Sequence, residues 1–587
     1  GGKLSWDAEG AFFRPDPARP PTDRTGAGFV TCAGAAAGAL PAHESLADAL
    51  ATARRVAGAM GATAPDAGPA PSVSSIPERP LVPVWIMPRD AGVDRRGRMW
   101  LDFQNDVKVS DVELAAREGF ESVEHAKRYT TLGMATDQGK LGNINGLSVL
   151  ARALDADIPQ VGTTTFRPPY APVPMGAVAG AARGAIFQPL RRTPIHGWHE
   201  ENGAHWEPVG RWRRPHCYPR AGESLQDAVN REVDATRGGL GLLDASTLGK
   251  IVVKGPDAGR FLDMLYTNTM STLEPGRCRY GLMCCENGFL MDDGVVARIG
   301  EDAFLCHTTT GGAERVHAWM EDWLQCEWWD WRVHTADVTE QYAQIAVAGP
   351  NARKVLDRLG AAFPIDGRAL PFMAWAEGRI GGFDARVYRI SFSGELSFEI
   401  AVPASRGRAL WDALHRAGAE YGATACGIEA LHVMRAERGF IMVGDETDGT
   451  VIPQDLGLDW AISKRKADYL GKRAQARADM TRPDRWRLVG LETLDGSVLP
   501  HGAYALAEGE NANGQRNTQG RVTSAYHSPT LGRGIALGLV LRGPDRMGEV
   551  LEFATAGTRA KRKAPQTVRA RIVGAVFHDP EGRRRNA

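Results

Sequence analysis

Between residues 281 and 312 the chain reads GLMCCENGFLMDDGVVARIGEDAFLCHTTTGG, short apolar runs broken by turn dipeptides. FLM, VVARI and AFLCHTTT have the length and composition of adjacent antiparallel strands, with turns at Asn287-Gly288, Asp293-Gly294 and Gly300-Glu301. Asp292 and Asp293 then sit at a turn between two strands. They form either a solvated turn or a carboxylate pair at a cleft, where each charge raises the pKa of the other. A second pattern is an apolar strand, then Gly-Pro, then a capped helix. It occurs as IVVKGPDAGRFLDML at 251–265 and again as IAVAGPNARKVLDRL at 345–359, which predicts two related α/β lobes.

Downstream, RVYRI and FEIAV predict two strands around a Ser-Gly-Glu-Leu turn that carries Glu395, with Glu399 beyond it. Glu399 lies between Phe398 and Ile400, where an unpaired charge costs several kcal/mol. It is therefore either half of an interdomain salt bridge or a bidentate acceptor for a ring with adjacent N–H donors. The segment 427–440 (GIEALHVMRAERGF) reads as a helix with Arg435 and Glu437 near its end. The acid- and turn-rich stretch after it contains Trp460, placed to stack on an aromatic ligand. Residues 485–578 carry short apolar runs bounded by glycine, the pattern of a small antiparallel barrel or sandwich.

The N-terminal third is patterned differently. Residues 28–40 read as a strand entering a small-residue helix, whose Gly34 and Gly38 would let a phosphate approach the helix N-terminus. An amphipathic helix is expected over 43–62 and a Pro/Gly/Ser-rich linker over 63–80. Residues 97–165 predict three helices. The first is capped by Ser110 with Glu113 and closed by Gly119, the second starts at Ser122, and the third lies around 146–155 after a Gly/Asn-rich loop. A Pro-rich strap spans 163–176. His196, His199, His205 and His216 fall among turns without metal-ligand spacing, so no metal is expected. The expected organisation is α/β and α+β multidomain: 1–62, the remnant of a dinucleotide-binding domain; 63–96, linker; 97–165, a small helical domain; 166–480, duplicated α/β lobes; 481–587, a small β-barrel.

Composition narrows the function classes. The 587 residues balance 70 Lys and Arg against 70 Asp and Glu, without the basic bias of a nucleic-acid binder. No run of about 18 apolar residues suggests a membrane span, and the first residues do not pattern as a signal peptide. Eight cysteines occur without a CxxC, which fits a reducing cytoplasm rather than a disulfide scaffold or zinc ribbon.

Long motifs carry a resemblance: DFQNDVKVSD at 102–111, EGFESVEHAKRYTTLGMATDQGKLGNINGL at 118–147, TTTFRPPY at 163–170, LYTNTMSTLEPGRCRYGLM at 265–283 and GFIMVGDETDGTVIPQDLGLDW at 439–460. On these the chain resembles the alpha-subunit family of heterotetrameric sarcosine oxidases, minus its N-terminal part. Its C-terminal portion is similar to the folate-binding aminomethyltransferases. The resemblance implies oxidation of sarcosine by O2 to glycine, H2O2 and formaldehyde. The one-carbon unit would pass to tetrahydrofolate as 5,10-methylenetetrahydrofolate. It also implies beta, gamma and delta partner subunits, FAD in the beta subunit, FMN at the alpha–beta interface, and NAD held largely upstream, with Gly34 and Gly38 as its last glycine-rich element. The catalytic acid of the family's G-x-x-x-DD element is carried to Asp292, with Asp293 as alternate. Glu399 takes the pterin-recognising role, and Phe392 stands where a tyrosine is usual. Tyr266, Trp460 and Arg435 are further expected folate contacts, and Leu431 replaces a family arginine. With no cysteine between 33 and 216, the helical domain is expected to lack its relatives' iron–sulfur cluster. The alternatives are a stand-alone folate-dependent aminomethyltransferase or demethylase, and a structural subunit with a decayed folate site.

Overall fold

The computed structural model describes residues 3–62, 71–74, 82–554 and 567–587. The chain divides into two compact units, Gly1–Arg183 and Gly184–Ala587. Most of the expected 63–80 linker lies outside the described residues.

In the first unit, helices Val109–Arg117, Val123–Thr130 and Asn143–Ala153 pack around Val112, Val123, Leu132, Leu147 and Leu150. The first starts two residues earlier than its capping pattern predicts. Lys108 is its N-cap, and its backbone N–H donates to Asp111 at 2.9 Å, while Ser110 lies inside the first turn. Burial of Val109 and Val112 sets this start. The third helix begins at Asn143 because that side chain is buried, donating to Thr164 at 2.8 Å.

The strand-then-helix expected over 28–40 does not form. Residues 29–33 carry no regular structure, and a single 3-10 turn, Gly34–Ala37, follows. The backbone N–H of Gly34 donates to Asp48 Oδ2 at 2.7 Å and that of Ala35 to Ser45 Oγ at 3.2 Å. Both acceptors lie on the helix Ala42–Ala59. A carboxylate thus holds the Gly34 N–H group that was expected to meet a phosphate, and the Gly38 N–H bonds back to the Ala35 carbonyl at 3.1 Å.

The second unit contains the two predicted lobes. One is a five-stranded sheet in the order Cys278–Cys284, Leu290–Gly300, Ala303–Thr308, Gly249–Lys254, His334–Asp337. The other is six-stranded: Trp375–Ile380, Phe383–Tyr388, Ser397–Pro403, Tyr342–Ala348, Gly241–Asp244, Thr424–Ala425. The repeated motif occupies equivalent places: Gly249–Lys254 leads into helix Ala258–Leu265, and Tyr342–Ala348 into Ala352–Leu359. Gly255 (φ +136°) and Gly349 (φ +124°) make the two turns, and a Cβ at either would lie within 2.6 Å of a backbone oxygen. Six strands from Trp486–Thr493 to Thr567–Val573 close into a barrel filled by Val489, Leu491, Phe553 and Ile572. Among the described residues, no helix is long and apolar enough to cross a membrane.

FLM and VVARI are not separate strands. Leu290–Gly300 is one continuous strand, with Leu282 opposite Asp293 and Gly281 opposite Gly294. The Asp-Asp-Gly segment lies within it rather than at a turn; Asn287-Gly288 makes the actual turn, with Gly288 at φ +90°.

Candidate functional site

Successive side chains of a strand point to opposite faces, so only one of two adjacent aspartates can face a given side. Asp293 lines a cleft of about 920 Å3 and Asp292 does not. Asp292 is fully buried on the other face. Its Oδ1 accepts the Asp293 N–H at 2.9 Å and its Oδ2 accepts Thr309 Oγ1–H at 3.2 Å. Beside it, Gly312 is the N-cap of helix Ala313–Cys326, and a Cβ there would lie 1.9 Å from Asp292 Oδ2. Asp292 thus meets the positive end of that helix, and of the two expected acids it is Asp293 that faces the cleft.

Asp293 Oδ2 accepts the Tyr280 hydroxyl at 2.6 Å. Burial pushes the Asp293 carboxyl up to about 7; the Tyr280 hydrogen bond opposes this and the charge of Asp292 adds to it. Near neutrality it exchanges a proton readily, as a general acid or base requires. Tyr280 stacks on Trp460, ring centroids 5.9 Å apart at 29°, and Trp460 is 68% exposed. The two rings form an aromatic side of the cleft beside the acid.

The second sheet supplies Glu399 from the strand Ser397–Pro403. Its Oε2 accepts from Gln344 Nε2 on the adjoining strand. Burial raises its pKa, while that hydrogen bond and the positive Lys250 oppose the rise. The salt-bridge alternative does not hold among the described residues, because the Lys250 ammonium donates to Ser246 and Leu248 carbonyls at 3.1 and 2.7 Å. Burial brings Lys250 down to about 8. His307 also lines the cleft. Its Nδ1 donates to Val295 O at 3.0 Å, and burial, with the nearby charge of Lys250, lowers it to about 4. It is a neutral imidazole.

Phe392 lies on the cleft wall and stacks on Phe440 at 6.1 Å. Leu431 is also on the wall, and three guanidinium groups, Arg214, Arg279 and Arg585, line it. Arg585 belongs to the last turn, Arg583–Asn586, and lies over the Phe372 ring at 4.5 Å. Two expected contacts are elsewhere. Tyr266 is fully buried in the core of the first lobe and does not reach the cleft, because its position follows the buried face of helix Ala258–Leu265. Arg435 is likewise buried and absent from the wall. It bonds to Glu446 at 2.7 Å and to Ser524 of the barrel at 2.6 Å.

The histidines of 191–220 have structural partners. His199 lies between Asp244 (3.0 Å) and Tyr218 (2.8 Å), and His196 stacks on Trp206. Among the described residues no group of three His, Cys, Asp or Glu side chains could hold a metal. Tyr280, His307, Gln344 and Arg585 were missed by sequence reasoning. The Asn287-Gly288 turn could have revealed Tyr280: it sets the hairpin register that brings Leu282 opposite Asp293, and Tyr280 lies two residues before Leu282 on the same face.

Comparison with known proteins gives the family. Residues 195–466 match the family model described as the GCVT N-terminal domain, and 487–579 that of the glycine cleavage T-protein C-terminal barrel domain. Over 374 residues the chain is 32% identical to an aminomethyltransferase of Geobacillus kaustophilus, covering 96% of that protein and 63% of this chain. The chain belongs to the aminomethyltransferase family. The crystal structure of glycine cleavage system aminomethyltransferase T from Bartonella henselae shares this family's fold, with a TM-score of 0.56 and 26% identity over 66% of this chain and 98% of that one. Beyond the aminomethyltransferase portion, residues 96–182 match the sarcosine oxidase A3 domain. The full chain is 43% identical to the sarcosine oxidase subunit alpha of Corynebacterium sp. (strain U-96) and 40% identical to that of Rhizobium meliloti. It spans 59% and 57% of those two proteins.

Proposed function

We propose that the cleft binds tetrahydrofolate and that Asp293 assists transfer of a one-carbon unit to it, giving 5,10-methylenetetrahydrofolate. The carrying observation is that Asp293 and Glu399, from the two lobes, line one cleft. The residues present fit the ligand: Glu399 offers a buried acceptor to the N–H edge of the pterin, Phe392 and Trp460 offer flat apolar faces, and Arg585 offers a cation to the glutamate carboxylates. Tetrahydrofolate supplies the nucleophilic nitrogens. Asp293 accepts the proton lost as nitrogen attacks, and in its charged form stabilises positive charge at the incoming carbon. Tyr280 holds the carboxylate in place and favours its charged form. Arg585 supplies a charge in place of the arginine lost at Leu431, which speaks for a working site over a decayed one.

By its likeness to sarcosine oxidase alpha subunits, we place the chain in a heterotetramer with beta, gamma and delta subunits, in which sarcosine is oxidised elsewhere. FAD in the beta subunit and FMN at its interface belong to that assembly. No step runs through NAD, because the Gly34 and Ala35 N–H groups are held by Asp48 and Ser45 rather than facing an open anion site.

The test is titration of the chain with tetrahydrofolate. Glu399→Gln is expected to weaken binding about 10- to 150-fold, the loss of a charge-assisted hydrogen bond of about 1.5–3 kcal/mol. No saturable binding to the unaltered chain, or equal affinity of the variant, overturns the reading. A second check is the pH profile of transfer. Asp293 works as the carboxylate, so the rate should rise with pH through about 7. Tyr280→Phe removes a hydrogen bond that lowers this pKa, and the rising limb should move to higher pH. An unmoved limb would mean that another group titrates.

A further inference from the structure

Arg585 is the only one of the three cleft guanidiniums contributed by the last turn of the barrel-bearing end of the chain. A four-residue turn at the surface does not hold a long cationic side chain against a cleft by itself. The neighbouring contacts do. Glu395 is buried at 1% exposure, and its Oε1 accepts from Arg237 Nη1 at 2.6 Å and from Arg584 Nε at 2.7 Å. Arg584 also donates to the backbone oxygen of Arg237. Arg237 is anchored in turn by Glu437, which accepts its Nε–H at 3.1 Å and the Ser528 hydroxyl of the barrel at 2.6 Å. On the other side of the turn, Arg389 donates to the backbone oxygens of Arg585 at 2.6 Å and Ala587 at 3.1 Å.

Glu395 has a buried cationic anchor in Arg237, so its pairing with Arg584, 37% exposed at the side chain, is a tether laid from a fixed point to the surface turn. Removing the Glu395 charge leaves Arg237 paired with Glu437. It also removes the side-chain tether beside Arg585, which no acidic side chain pairs among the described residues and which the like charges of Arg389 and Arg438 disfavour on the wall.

We propose that Glu395 and Arg584 are positioning residues that hold Arg585 on the cleft wall, so that they set affinity for the anionic end of the ligand without touching it. This rests on the reading that the cleft takes tetrahydrofolate. It adds that a residue of the turn at 391–395, outside the cleft-lining set, controls recognition of the glutamate carboxylates.

The experiment measures dissociation constants of the full chain for tetrahydrofolate and for tetrahydropterin lacking the aminobenzoyl-glutamate tail. Arg584→Ala alters a part-exposed side chain and should leave folding intact; Glu395→Gln keeps shape and removes charge. Each is expected to weaken tetrahydrofolate about tenfold and leave the tail-less pterin unchanged. Combining either with Arg585→Ala should add nothing beyond Arg585→Ala alone, since all three act through one contact. Additive losses, equal weakening of both ligands, or no loss in Arg584→Ala and Glu395→Gln overturn the proposal. If Arg585→Ala itself changes nothing while both ligands bind, the tail contact is misplaced and the proposal falls with it. If neither ligand binds the unaltered chain, the folate reading is what fails.

Discussion

Asp293→Asn is expected to slow one-carbon transfer to tetrahydrofolate by about 10²–10⁴-fold, the range for loss of a general acid–base group, while tetrahydrofolate still binds. Asparagine keeps the size of the side chain and a carbonyl to accept from Tyr280, so the cleft keeps its shape. It has neither the charge nor the proton affinity. Single-turnover measurement of methylenetetrahydrofolate from formaldehyde separates this from any effect on sarcosine oxidation. The matched variant is Asp292→Asn. Asp292 lies on the opposite face of the same strand, and its charge raises the pKa of Asp293. Its removal should therefore lower the pH of the rising limb and spare most of the rate at high pH. If Asp292→Asn instead costs as much as Asp293→Asn at every pH, the assignment by strand face is wrong.

Strand periodicity is what the sequence hid at this point. Asn287-Gly288 and Asp293-Gly294 are both turn dipeptides, and only pairing with neighbouring strands separates them. Gly294 is extended rather than turned. A Cβ there would lie 1.9 Å from the His307 carbonyl oxygen, so the glycine serves close backbone approach within the sheet. The repeated strand–Gly-Pro–helix motif was legible because each copy carries its own turn chemistry and amphipathic helix. The barrel was legible from its short runs and glycines. Two features were not. Gly34 and Gly38 looked like an anion cradle, since the sequence does not show that Asp48, fourteen residues on, folds back to accept the Gly34 N–H. Arg585 sits in a polar stretch of the sort that reads as solvated, and the contacts of Arg584 with Glu395 and of Arg389 with the Arg585 carbonyl bring it to the cleft. The cleft acids were thus readable from local pattern, whereas Arg585 is placed by contacts 189 and 196 residues apart in sequence.

Arg435→Met is expected to cost about 3–5 kcal/mol of stability in urea unfolding of the chain, with little change in tetrahydrofolate affinity of the protein that stays folded. Arg435 is fully buried, with Nη1 on Glu446 Oε2 at 2.7 Å and on the Phe440 carbonyl at 3.0 Å, and Nη2 on Ser524 Oγ at 2.6 Å. Glu446 is equally buried and accepts from the Met442 N–H at 2.8 Å and the Ser524 hydroxyl at 2.6 Å. Methionine fills much of the space and leaves the Glu446 charge without a cation. The cost arises mainly from that stranded charge rather than from the lost contact, because pairing barely exceeds desolvation for a buried ion pair. The double variant Arg435→Met with Glu446→Gln should therefore recover most of the loss. This network joins helix Ile428–Glu437, whose Ile428, Leu431 and His432 face the cleft, to the barrel strand Thr518–Ser528. A large fall in affinity with unchanged stability would make Arg435 a ligand contact after all. Full recovery in the double variant would establish that Arg435 works by neutralising Glu446, and that the pair itself adds little to the attachment of the barrel.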